Sequence, residues 1–243
     1  VLAVEIALRS VGSDREVERH GWSLALMLGV WSVNLGLATW DGRPKPAFRE
    51  LQALLAGDLR STGADPGAPW LAPLMEGAGP TLVAGSTWPA DEEVLVPAAT
   101  RVRQKVPDLR LVVAPHEPDD RHVPPLLAAL ARAGWRSGTL SQVEDAGTLG
   151  DMRAVVVDRV GVLAHLYTAG TAAYVGGGFG RDGLHSVLEP AAAGIPVAFG
   201  PRHANARAAG DLLAAGAALQ VADAAELAAG LTHWLTEPGA RAS

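Results

Sequence analysis

The chain has 243 residues, 49% of them apolar, which can fill one large or two small cores and excludes disorder as its main state. Its 20 Lys+Arg against 26 Asp+Glu give a formal charge of −6 with no basic run, so nucleic acid is not an expected partner. There is no cysteine, which rules out disulfides, thiolate metal sites and thiol nucleophiles.

In chain order, the sequence begins at Val1 without a basic region, apolar core and cleavage site, and reads as a fragment or processed product. Residues 1–57 are expected to form a short, mostly helical segment of uncertain origin. Ser13 and Glu16 are spaced as a capping box. Pro46 opens a second helix, Phe48, Leu51, Leu54 and Leu55 repeat at helical spacing, and Gly57 is a natural stop. The apolar stretch Leu24 to Ala38 has 15 residues, short of the ~20 that span a bilayer. Residues 38–55 look like the closing strand, loop and helix of some barrel-type glycoside hydrolases, but carry no catalytic carboxylate pair. Residues 58–80, rich in Gly, Pro, Ser and Ala, are expected to be a linker.

From Thr81 to Ser243 the pattern changes. Short β-rich runs, 82–84, 109–114, 154–158, 172–175, 196–199 and 217–221, alternate with helical stretches at 91–105, 122–133, 160–169, 185–193, 205–215 and 224–235. A further short run lies near 136–141. Continuous apolar strands bounded by helices predict an α/β domain: a Rossmann-like parallel sheet with helices on both faces. Ligands of such sheets bind beyond the carboxyl ends of the strands, so the junctions after each run are the places for chemistry.

Four junctions stand out. Gly85-Ser86-Thr87 could bind a phosphate or merely cap the next helix. Pro115-His116-Glu117-Pro118 is a rigid turn displaying an imidazole beside a carboxylate, unless His116 is only a surface residue. Gly176-Gly177-Gly178-Phe179-Gly180, leading through Gly183, forms a candidate backbone cradle for an anion. Gly178, Gly180 and Gly183 fit GxGxxG, but late in the sheet and without an acidic residue about 20 positions on, so a dinucleotide fold is not indicated. The fourth is His185-Ser186-Val187-Leu188-Glu189-Pro190, followed by Gly194 and Pro196. A glutamate at this spacing resembles that of glycosyltransferases with two facing Rossmann-like domains. One ionised carboxylate can accept both hydrogen bonds of a ribose diol; the alternative is a glutamate that caps its own helix.

Taken together, residues 85–93, 113–120, 157–180, 183–201 and 205–221 resemble, in order, the C-terminal donor-binding domain of the 3-deoxy-D-manno-octulosonic acid (Kdo) transferases, over about residues 81–236. The resemblance implies the C-terminal half of a GT-B glycosyltransferase. It further implies transfer of Kdo from CMP-Kdo to a lipid A precursor at the cytoplasmic face of the bacterial inner membrane. No cofactor and no metal are implied. Carried over by position, Ser86 and Thr87 would lie near the donor and Gly176, Gly177, Gly178 and Gly180 would line its phosphate. His185, Ser186 and Glu189 would meet the cytidine ribose, with Asn205 close behind. His116 and Glu117 stand where many members have an arginine–histidine pair, leaving Arg181 and Arg202 as candidate partners of the donor's charge. Ser186 stands where many have Asn. The family's catalytic base and its peripheral membrane contact belong to an N-terminal domain that residues 1–57 do not resemble. Alternatives are a non-catalytic nucleotide-sugar binding module and another GT-B enzyme, a hexosyltransferase or a nucleotide-sugar epimerase.

Overall fold

A computed structural model describes residues 70–75 and 79–237; the expected helices near Ser13 and after Pro46 lie outside these. After a single helical turn, α1 (Ala72–Met75), the chain runs β1 (Thr81–Thr87), α2 (Pro89–Lys105), β2 (Arg110–Pro115), α3 (Val123–Arg132) and β3 (Ser137–Thr139). It continues with α4 (Leu140–Ala146), β4 (Ala154–Val156), α5 (Leu163–Thr168), β5 (Ala172–Val175), α6 (Leu188–Ala192), β6 (Val197–Phe199), α7 (Arg207–Ala214), β7 (Ala218–Gln220) and α8 (Ala224–Thr236). The strands form a seven-stranded sheet in the order β3-β4-β2-β1-β5-β6-β7, parallel at every pairing.

Alternation of side chains along each strand divides the core into two layers. Leu82, Ala84, Leu111, Val113, Ala172 and Tyr174 face one side, where they meet Leu95, Ala99 and Val102 of α2 and Leu227 and Leu231 of α8. Val83, Val112, Val155, Ala173, Val175 and Phe199 face the other, with Leu140 and Val143 of α4, Leu166 and Tyr167 of α5 and Ala209 of α7. Each fully buried Leu or Val contributes roughly 1.5–3 kcal/mol by leaving water. Trp70 and Leu74, in the stretch read as linker, are buried in this second layer. The end of that stretch is therefore part of the packed domain.

Several elements begin or end away from their sequence expectation. Helix α2 starts two residues earlier, at Pro89, whose missing N–H is harmless in a first turn. Helix α6 has five residues starting at Leu188, rather than opening near His185. Helix α4 was not anticipated at all.

The chain leaves β1 first toward β2 and the β4/β3 edge, then returns to place β5 on the other side of β1. Successive connections therefore diverge between β1 and β5. Such a divergence opens a crevice at the carboxyl ends of the two strands, the place where open α/β sheets bind ligands.

Candidate nucleotide-sugar site at the crevice between β1 and β5

The exit of β1 is shaped by close backbone contact. The β1/β2 register shifts between Gly85 and Thr87, and Ser86 at this bulge takes φ 53°, a left-handed conformation rare for a residue with a side chain. Opposite it, the Gly176 N–H donates to the Gly85 carbonyl at 2.9 Å. A methyl group at Gly176 would fall 2.1 Å from the Ser86 carbonyl oxygen, so only glycine fits there. The Ser86 side chain is half-buried, while Thr87 turns inward, 1% exposed, and its hydroxyl donates to Glu92 Oε1 at 3.0 Å. Thr87 thus orients Glu92 rather than facing the crevice with a free hydroxyl. Burial pushes the Glu92 carboxyl above its ordinary value, opposed by the Thr87 hydrogen bond and the nearby His122.

The glycine loop after β5 encloses an anion of the protein's own. Asp91, in the first turn of α2, has no exposed surface. Its carboxylate accepts hydrogen bonds from the Trp88 N–H at 3.0 Å, the Tyr174 hydroxyl at 2.9 Å, the Gly177 N–H at 2.8 Å and the Phe179 N–H at 3.4 Å. Burial, together with the Asp91 charge, keeps the Tyr174 hydroxyl protonated far above the usual phenol range. The loop closes on itself where His185 N–H donates to the Gly176 carbonyl at 3.1 Å. It is tied from outside by Arg202, whose N–H reaches the Gly178 carbonyl at 3.0 Å and whose guanidinium reaches the Gly180 carbonyl at 2.7 Å. Among the described residues, no acceptor is engaged by the N–H groups of Gly178 and Gly180. The helix after the loop, being only five residues long, adds a weaker terminal dipole than the sequence suggests.

Three rings wall the crevice. His116, exposed after β2, stacks on His185 with centroids 4.3 Å apart and planes at 25°, and lies 4.7 Å from the Trp88 ring. The Trp88 indole N–H donates to His185 Nε2 at 3.1 Å, so the neutral His185 ring carries its proton on Nδ1. Burial, then the adjacent His116, lowers the His185 pKa, with Asp91 and Asp182 opposing. Glu117 is exposed and lies with Asp119 and His122 in a group whose ligand atoms fall within 4.8 Å of one another. Asp119 is already engaged there by the His122 ring at 2.8 Å and by the Arg121 and His122 N–H groups.

Glu189 is the second residue of α6 and does not cap it: its carboxylate accepts no hydrogen bond from the described residues. Burial raises its pKa. It lies within electrostatic reach of the buried Tyr167, whose hydroxyl sits 2.1 Å from where a Gly85 side chain would begin, against the end of β1. Ser186 is exposed, and its hydroxyl receives the Leu188 N–H in a long contact of 3.4 Å. Asn205 clamps the loop's return, accepting from Leu184 N–H at 3.0 Å and donating to its carbonyl at 2.9 Å. Arg181 is exposed. Of the candidate residues, then, Ser86, the glycines, His116, His185 and Glu189 gather about the crevice, Thr87 and Asn205 support it from behind, and Glu117 points into solvent. Trp88, Asp91, Glu92 and Tyr174 were missed. The proline at the first helical position followed by an acid at the third was a signal for Asp91.

Comparison of the fold gives its class. The chain superposes with a TM-score of 0.62 and 19% identity on the C-terminal CMP-Kdo binding domain of WaaA from Acinetobacter baumannii, over 79% of this chain and 93% of that one. It also superposes, at 0.52 and 18%, on a trehalose 6-phosphate synthase from Burkholderia multivorans, over 80% of this chain and 42% of that one. The fold is that of one Rossmann-like half of a GT-B glycosyltransferase.

In sequence, the chain is similar to 3-deoxy-D-manno-octulosonic acid transferases. It is 32% identical over 124 residues to that of Aquifex aeolicus, a match covering 51% of this chain and 32% of the relative. It is 36% identical over 124 residues to that of Chlamydophila psittaci, covering 49% and 26%. The chain thus matches about a third or less of the length of these relatives. No family model matches it.

Proposed function

We propose that this chain carries the donor-binding half of a glycosyltransferase that moves Kdo from CMP-Kdo to a lipid A precursor, working peripherally at the cytoplasmic face of the bacterial inner membrane. The observation that carries this reading is Glu189: a half-buried carboxylate that accepts no hydrogen bond from the described residues, within electrostatic reach of the Tyr167 hydroxyl at the end of β1. A ribose diol supplies two hydroxyl donors to such a group, and the charge-assisted bonds offset its desolvation. The Gly178 and Gly180 N–H groups engage no acceptor among the described residues, which suits a phosphate, and the exposed His116 borders the same crevice. Sequence kinship with the Kdo transferases supports the choice of sugar and of cytidine nucleotide. Chemistry in a GT-B enzyme takes place between two facing domains, so the base and the acceptor site are assigned to a part that residues 70–237 do not contain.

Titrating the purified 243-residue chain with CMP, UMP and UDP tests the proposal. CMP is expected to bind most tightly, with no Kdo transfer by this chain alone. Preference for UDP would move the reading to a hexosyltransferase. Binding of none by the folded chain would remove it, and Kdo transfer would place a base within these residues.

A further inference from the structure

The glycine loop presents a puzzle that the donor-site reading leaves open. A run of glycines after a strand is ordinarily taken as a cradle whose N–H groups all turn to a ligand phosphate. Here two of those groups, Gly177 and Phe179, donate to a side chain with no exposed surface. The same carboxylate receives the Trp88 N–H at the start of α2 and the Tyr174 hydroxyl on β5, so it joins the exits of the two strands that bound the crevice. Gly177 also takes φ 93°, and a methyl group on it would fall 2.0 Å from the Gly183 carbonyl oxygen. With so little slack, the direction in which the carboxylate pulls the Gly177 and Phe179 N–H groups sets the direction of the alternate peptides.

We propose that Asp91 is the positioning residue of the donor loop: its buried carboxylate holds the Gly177 and Phe179 N–H groups inward and so leaves those of Gly178 and Gly180 for the donor phosphate. This rests on the nucleotide-binding reading above. Asp91 touches no ligand. It takes the inward-facing donors that an anion would otherwise compete for, and ties them to α2 and β5. An asparagine in its place offers one acceptor oxygen and an NH2 group that would oppose N–H donors, so the loop could not keep all four bonds.

The test uses the full chain in four forms: wild type, Asp91→Asn, Asp91→Glu and, as a destabilised control outside the site, Leu130→Ala. Hydrogen exchange at the Gly177 and Phe179 amides is read by NMR, beside CMP affinity. In Asp91→Asn both amides are expected to lose protection while those of β1 and β5 keep it, with CMP affinity reduced at least tenfold. Leu130→Ala, which opens a cavity on the buried face of α3, is expected to lower the melting temperature with affinity within about twofold of wild type, which separates loss of stability from loss of the loop. If Asp91→Asn does not fold, Asp91→Glu, which keeps the charge but displaces it by one methylene, is expected to fold and to lose both protection and affinity. A folded Asp91 variant with exposed loop amides and unchanged CMP affinity would overturn the proposal, as would amides still protected in both variants. Wild-type protein that binds no CMP would instead count against the donor-site reading, and the exchange arm would still decide whether Asp91 holds the loop.

Discussion

At the residue scale, Glu189 makes the account quantitative. Its folded pKa lies above the ordinary 4.5 because burial penalises the charged form. Well below pH 4.5 the group is neutral in folded and unfolded chains alike and has no effect. As pH rises from 4.5 through the raised folded value, the unfolded chain ionises first, so the group increasingly destabilises the fold. Glu189→Gln is therefore expected to melt at or above the wild-type temperature at pH 7, with the gap closing as pH falls toward 4.5. A lower melting temperature at pH 7 would mean that the carboxylate serves the helix after all. His116 could be singled out from sequence because it comes just after a predicted strand, His185 because it opens a predicted helix, and Glu189 because it stands five residues before Gly194 and seven before Pro196. Tyr174 and Trp88 could not, since their partners lie 83 and 97 residues away and only the folded sheet brings them together, and for Asp91 the sequence signals a first-turn acid but not the loop it holds.

At the scale of elements, the glycines separate steric necessity from conformational freedom. Gly176→Ala would press a methyl group against backbone at 2.1 Å on both a strand end and a bulge, where nothing flexible can give. It is expected to cost more than ~3 kcal/mol, the upper range of ordinary overpacking. Gly210, inside α7, meets nothing within 4 Å and has an ordinary φ, so Gly210→Ala should stabilise by roughly 0.5–1 kcal/mol. Thermal unfolding of the pair checks both signs, and a Gly176→Ala protein as stable as wild type would refute the close packing at the crevice. Strands and most helices were legible because apolar runs and glycine stops agree with the final topology. Of helix α4 only the ends are legible: Thr139 and Gln142 form a reciprocal capping box and Gly147 ends the helix at φ 65°. Its seven residues carry too little apolar period to announce it. Trp70 and Leu74 were hidden for the opposite reason, being two apolar residues in a Gly/Pro-rich stretch whose burial depends on the face of a sheet that follows them.

At the scale of the whole molecule, the parallel sheet with both faces covered places its chemistry at one edge, and the turn of connection order between β1 and β5 selects one crevice on that edge. Among the described residues no helix is long and apolar enough to cross a membrane. Fold class followed from periodicity, whereas the sugar and the nucleotide came only from resemblance, because a ribose site and a glycine loop are common to many donors. The central claim is that this crevice holds a cytidine nucleotide by its ribose, and calorimetric titration of wild-type chain and Glu189→Gln with CMP tests it most directly. Loss of charge-assisted hydrogen bonds worth about 1.5–3 kcal/mol corresponds to roughly a 10- to 150-fold weaker affinity. That loss, in a variant as stable as wild type, is the expected result; equal CMP affinity of the two proteins would contradict the account.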